Sequence, residues 1–219
     1  MTIAFQGYRD WAKQIFKNMR DLQSFEINNY GVTQCTWEIS SVAKADVILY
    51  YGWSKIIPKE IYTKKICLIL HPSPLPKYRG GSPLQHQIMN GEEMSAVTIF
   101  QATGEMDAGP IYSQTPFSLK GSLNQIFERI IDIGIQETIK ILSNLEYNKT
   151  KPWIQDESQA TLFKRRKPEQ SELKPDIFYS CSAKGLSNFI RALDDPYPNA
   201  FIKCVDGKKL YIKKVDYEN

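Results

Sequence analysis

Short unbroken apolar runs alternate with apolar residues at helical spacing along the first half of this chain. Residues 1–5, Met-Thr-Ile-Ala-Phe, predict a buried strand, and Trp11, Ile15, Phe16 and Met19 then recur on one helical face after the turn at Gly7-Tyr8-Arg9-Asp10. Residues 46–51 predict a second strand ending at Gly52, and residues 66–70 a third, with a short helical stretch at 58–62 between them. Strands alternating with helices predict an α/β fold, a Rossmann-like parallel or mixed central sheet wrapped on both faces.

Further along, residues 97–100 and 111–114 read as a hairpin pair flanking a loop that carries Asp107, and residues 82–89 read as a helix. Ser122 offers an N-cap to a long helix whose apolar face is Leu123, Ile126, Phe127, Ile130, Ile131, Ile135, Ile139 and Leu142. After Asn148 the sequence turns polar and proline-broken. We therefore divide the chain into a main domain over 1–148, a connector over 149–189 and a small appendage over 190–219. The appendage reads as a β-hairpin, with strands around Lys203-Cys204-Val205 and residues 209–215 and a turn at Asp206-Gly207.

A length of 219 residues permits a substantial core. No long uncharged apolar stretch and no signal-peptide pattern is present, so the expectation is a cytoplasmic protein without membrane association. Cys35, Cys67, Cys181 and Cys204 are scattered, and their spacing fits neither a zinc site nor a disulfide framework. They read as reduced structural residues, and no metal is expected. The net charge of +4 arises from 28 basic and 24 acidic residues, which is too mixed to demand nucleic acid. The run Lys164-Arg165-Arg166-Lys167 lacks interleaved aromatics and reads as a solvated connector.

Chemistry concentrates where the third strand stops. His71, one of only two histidines, opens His-Pro-Ser-Pro-Leu-Pro-Lys-Tyr-Arg-Gly-Gly-Ser-Pro over residues 71–83, and Asp107 lies 36 positions later in Gly-Glu-Met-Asp-Ala-Gly-Pro over 104–110. Strand ends are where α/β proteins place catalytic groups. An imidazole changes charge near neutrality and can act as a base, with a carboxylate fixing its tautomer. The plain alternatives are a structural strand-end histidine and a turn-forming aspartate. His86 sits in the 82–89 helix without a partner in the motif and reads as a surface or boundary residue.

Three blocks carry a family resemblance: His71 to Gly80, Ala96-Val97-Thr98-Ile99, and Asp107-Ala108-Gly109-Pro110-Ile111. In order and spacing they resemble the folate-dependent formyltransferases, the family of the methionyl-tRNA formyltransferase catalytic domain. The resemblance implies a formyl group moved from 10-formyltetrahydrofolate to an amine, with His71 and Asp107 catalytic. It also implies a pterin slot walled by Tyr51, Ile56 and Ile57 on one side and Thr103, Gly104 and Met106 on the other. Trp53 reads equally as a stacking or a core residue. The acceptor would meet Ser73, Lys77, Tyr78, Arg79 and Gly80, with Arg9 reaching a diphosphate.

Among acceptors, glycinamide-ribonucleotide enzymes of the family carry a glycine-rich loop after the first strand, which residues 7–11 lack. Length argues against the transfer-RNA enzymes and the absence of a carrier system against peptide-synthetase domains. The resemblance is closest to free-standing sugar N-formyltransferases, which implies a nucleotide-diphospho amino-dideoxy sugar for surface-glycan biosynthesis, of UDP-4-amino-4,6-dideoxy, pseudaminic-acid type. A homodimer is compatible with this reading. One position departs from the pattern, because the family places Asn two residues before the histidine and this chain has Ile69. Isoleucine cannot donate to an oxyanion. The competing reading is therefore a formyltransferase-fold binding module with weak or lost activity.

Overall fold

The computed structural model describes residues 1–21, 27–28, 44–147, 149 and 151–218, with 27–28 described for backbone alone. Cys35 lies outside the described residues. Six strands form the main sheet: β1 (Ile3–Gln6), β2 (Ile27–Asn28), β3 (Val47–Tyr51), β4 (Ile66–His71), β6 (Met94–Gln101) and β7 (Ile111–Ser118), in the order β2-β1-β3-β4-β6-β7. The first four run parallel, whereas β6 and β7 are antiparallel to their neighbours, so the sheet is mixed. The strand β5 (Arg79–Gly80) lies apart, in the loop after β4.

Helices α1 (Asp10–Asp21) and α4 (Leu123–Glu146) cover one face, where Ile15, Met19, Leu49, Leu68, Ile130 and Leu142 belong to the main core. The other face is covered near its centre by α2 (Lys59–Tyr62), whose Ile61 packs with Ile48, Tyr50 and Cys67. Burial pushes the Cys67 thiol up to about 12, so it behaves as an apolar core group. Glycine in the middle of α4 has a packing reason. A Cβ at Gly134 would press on Ile15 and Leu70, so the missing side chain lets α4 approach both α1 and the sheet. Ser122 caps α4 as expected, in a reciprocal box with Gln125. Among the described residues, no helix is long and apolar enough to cross a membrane.

Helix α3 (Pro83–Met89) follows the His71 loop. The chain then passes through β8 (Leu162–Phe163) and the short α5 (Ile177–Ser180) to α6 (Ala183–Arg191), which runs across position 190. The terminal hairpin pairs β9 (Ala200–Lys203) with β10 (Lys209–Ile212). The first of these strands begins earlier than expected, and the second begins at Lys209 as expected but ends at Ile212. Cys204 and Lys208 close the turn through a backbone bond, so Cys204 and Val205 belong to the turn and not to a strand.

Candidate active site

The carboxyl ends of β1, β3 and β4 open on a cavity of about 820 Å³, and Arg9, Gly52, Trp53, Ile69, His71, Gly80 and Asp107 are in its wall. The approach of β1 to β3 shapes this end. Gly52 adopts φ +62°, and a Cβ there would push into the Arg9 side chain, so a glycine at that position leaves Arg9 room at the cavity mouth.

His71 is the last residue of β4 and is 7% exposed. Its ring lies between two acceptors: Nε2 is 2.9 Å from the Tyr78 carbonyl, and Nδ1 is 3.7 Å from Asp107 Oδ2. A carbonyl can only accept, so in that contact Nε2 donates. The same Asp107 oxygen accepts the Gly80 N–H at 2.8 Å, which ties the aspartate loop to the loop after His71. Tyr78, Ser82 and Asp107 all adopt positive φ, at 61°, 57° and 52°. Left-handed backbone at non-glycine residues costs on the order of 1–3 kcal/mol each and persists only where surrounding bonds over-determine it.

Those bonds come from the connector. The Gln155 amide donates to the carbonyls of Asp107 and Gly109, while its carbonyl oxygen accepts from Arg79, whose guanidinium also pairs with Glu157 at 2.6 Å. Gly80 and Gly81 let this segment dock. A Cβ on Gly80 would strike the Phe163 carbonyl and one on Gly81 the Arg165 backbone, and β5 pairs with β8 along the same contact. His86 joins this contact, its Nε2 3.0 Å from the Lys164 carbonyl and its ring against Phe163.

Several residues assigned to ligands therefore have other work. Arg79 is 7% exposed and is held by Gln155 and Glu157, so its charge builds the loop and does not meet an acceptor. The Ser73 hydroxyl is fully buried and bonds the Lys77 carbonyl. The Tyr78 phenol donates to Glu92 and its ring stacks on Phe163. Lys77 is exposed but outside the cavity wall. Tyr51 is fully enclosed, with its hydroxyl 2.8 Å from Thr138 of α4, because alternation along β3 turns it to the helix-covered face. Ile57 is buried with Tyr50 and Ile61 and forms core beneath the proposed pterin wall. Ile56, Thr103, Gly104 and Met106 are exposed and lie outside the cavity wall.

Replacing Arg79 with Met is expected to destabilise the fold by about 1–3 kcal/mol, because the buried Gln155 oxygen loses its donor. Arg79 holds the Glu157 carboxyl below the usual carboxylate range. That contribution is present above the ordinary carboxylate pKa and is lost as pH falls through the lowered folded value. Urea melts of both proteins at neutral and acid pH should therefore show the gap between them narrowing in acid. A constant gap would contradict this account of the pair.

Two features escaped the sequence reading. Arg165, Arg166 and Lys167 line the cavity together with Arg9, so the basic run is not simply solvated. The docking of the connector on Gly80-Gly81 turns it inward. Among the described residues, Arg9, Arg165 and Lys167 form no ion pair, whereas Asp10 and Asp195 in the same wall pair with Lys13 and Lys213. Tyr197 joins them. Burial pushes its phenol up to about 12, against the pull of Arg9 and Arg165, which both lower it. The second feature is Gln85, 5% exposed in the cavity wall, whose side chain makes no hydrogen bond among the described residues. Its place beside Leu84 and Ile88, the inward pair of α3, is the pattern that points it inside.

A formyl transferase family model matches residues 12–134. The methionyl-tRNA formyltransferase of Thermotoga maritima is 34% identical over 178 residues, which is 79% of this chain but 56% of that protein. A solved methionyl-tRNA formyltransferase structure from Clostridium thermocellum is 30% identical with a TM-score of 0.80, and the match covers 97% of each chain. Length therefore does not separate this chain from that class, contrary to expectation. A sugar N-formyltransferase from Shewanella, 16% identical with a TM-score of 0.79 over 100% of this chain and 99% of its own, shares the fold. With the motifs at His71 and Asp107 brought into one cavity, these likenesses identify the chain as a member of the folate-dependent formyltransferase family.

Proposed function

We propose that this chain formylates the amine of a nucleotide-linked amino-dideoxy sugar, with 10-formyltetrahydrofolate as formyl donor. One observation carries the choice of acceptor. Arg9, Arg165 and Lys167, brought from two distant segments, line the same cavity as His71 and form no ion pair among the described residues. Cations without carboxylate partners suit phosphate oxygens. The methionyl-tRNA names of the sequence relatives favour a second reading, in which the phosphates belong to the acceptor end of a transfer RNA.

The donor supplies an activated one-carbon unit: a bond forms from the acceptor nitrogen to the formyl carbon, the bond from that carbon to N10 breaks, and the amine proton passes to N10. His71 is the residue that takes that proton and hands it on. It needs a lone pair on Nε2 for this, so the single proton of the neutral ring must move from Nε2 to Nδ1, beside Asp107, and the Tyr78 carbonyl is released. The incoming amine can replace the ring as donor to that carbonyl, 2.9 Å from Nε2, which places nitrogen and base together. Asp107 keeps that proton on Nδ1 and faces the imidazolium as it forms. The exposed apolar side chains of Ile56 and Met106 fit the faces of a pterin ring, with backbone of residues 103–106 for its polar edge. That assignment needs no metal. Among the described residues, no cluster of His, Cys, Asp and Glu could hold one.

Calorimetry tests the acceptor. UDP- or dTDP-linked amino sugars are expected to bind more weakly as salt rises, because their phosphates meet cations. Binding of methionyl-tRNA with no binding of any nucleotide sugar would replace this reading with the second one.

A further inference from the structure

Beyond the cavity, a second hollow of about 280 Å³ lies on the terminal hairpin, lined by Pro168, Asn199, Phe201, Lys209 and Tyr211. It shares Tyr197 and Pro198 with the cavity, so the two adjoin there. We propose that this hollow is a nucleobase subsite, an inference that rests on the phosphate-bearing acceptor proposed above.

The order of chemical groups carries the argument. His71 marks where the amine reacts, and Arg9, Arg165 and Tyr197 line the same cavity, with Tyr197 close enough to feel both guanidinium groups. The hairpin hollow adjoins the cavity at Tyr197 and Pro198. A nucleotide sugar reads in the same order: amino sugar, phosphates, base.

The lining suits a flat heterocycle. Tyr211 is 56% exposed and is braced edge-on by the buried Phe201, with ring centroids 6.3 Å apart and planes at 65°. Its other face is free to stack, and stacking on an aromatic ring is available to every base. Lys209 Nζ sits 4.2 Å over the Phe201 ring, which keeps a cation at the rim. Asn199 donates through Nδ2 to the carbonyls of Leu193 and Tyr197, which orients the amide. Its Oδ1 accepts no hydrogen bond among the described residues and is available to a base N–H.

The test is a calorimetric titration of the full chain with dTDP, UDP and pyrophosphate, repeated for Tyr211→Ala, Tyr211→Phe and Arg165→Ala. A stacking subsite makes dTDP and UDP bind tighter than pyrophosphate. Tyr211→Ala should weaken both nucleotides about tenfold, leave pyrophosphate unchanged, and be rescued in Tyr211→Phe. Arg165→Ala should weaken all three ligands. If pyrophosphate binds as well as dTDP, or Tyr211→Ala leaves dTDP affinity intact, the base subsite is overturned while the cationic wall stands. If sedimentation shows that Tyr211→Ala changes only self-association, the hollow is instead an interface between copies. If none of the three ligands binds, the phosphate-bearing acceptor and the subsite fall together.

Discussion

His71→Asn is expected to fold like the unmodified chain and to transfer formyl groups roughly 10²–10⁴-fold more slowly, the usual contribution of a general base. The side chain is buried at the end of β4 and its neighbours are polar, so the smaller amide is accommodated and can still donate toward the Tyr78 carbonyl. What disappears is a group that takes the amine proton. Acceptor binding should change little, because the cations proposed to meet the phosphates lie elsewhere in the wall. Tetrahydrofolate release measured beside a thermal melt separates the two effects. Near-normal turnover in a folded variant would remove His71 from the mechanism.

Asp107→Asn should slow turnover by up to about 10⁴-fold, by analogy with the orienting acid of a serine-hydrolase triad. The amide oxygen can still accept the Gly80 N–H, so the left-handed backbone at 107 keeps its tether and stability should barely move. That oxygen is also the atom that faces Nδ1, and as a neutral acceptor it holds a proton there less well than a carboxylate does. The ring therefore keeps its proton on Nε2, in the tautomer bonded to Tyr78, which has no Nε2 lone pair for the amine. The substitution also removes the negative charge that would face the imidazolium. A turnover loss matched by a large loss of stability would mean that Asp107 acts only as a loop tether.

Ile69 separates an enzyme from an inert fold. It lies two residues before His71 on the same face of β4, lines the cavity, and packs toward Leu75, Phe100 and Ile111. The charge that develops on the formyl oxygen must therefore be met by another donor: the imidazolium of His71, a backbone N–H or water. The Gly80 N–H is already engaged by Asp107. Losing one such donor costs about 3–4 kcal/mol of barrier, so a slow catalyst is the expected phenotype.

Much of this arrangement was legible in the residues because it rests on local rules. Continuous apolar runs mark β1, β3 and β4, the Ser122 box marks the start of α4, and the spacing of His71 and Asp107 anticipates a shared cavity. The misreadings have a common cause in long-range docking. Tyr50 and Tyr51 belong to a strand buried on both faces, and a continuous apolar run does not reveal which face meets a helix. Adjacent glycines at 80 and 81 announce a close backbone approach, but not that the visitor is a segment more than eighty residues later. That docking engages Arg79 with Gln155 and Glu157 and brings Arg165 into the cavity.

The most direct measurement is steady-state release of tetrahydrofolate from 10-formyltetrahydrofolate by the unmodified chain, given its best-binding nucleotide amino sugar and compared with a control lacking protein. The account predicts release above the control that depends on the amino sugar and yields one formylated product per tetrahydrofolate formed. Binding of both ligands with release no faster than the control would contradict it and leave a formyltransferase fold that binds without catalysing.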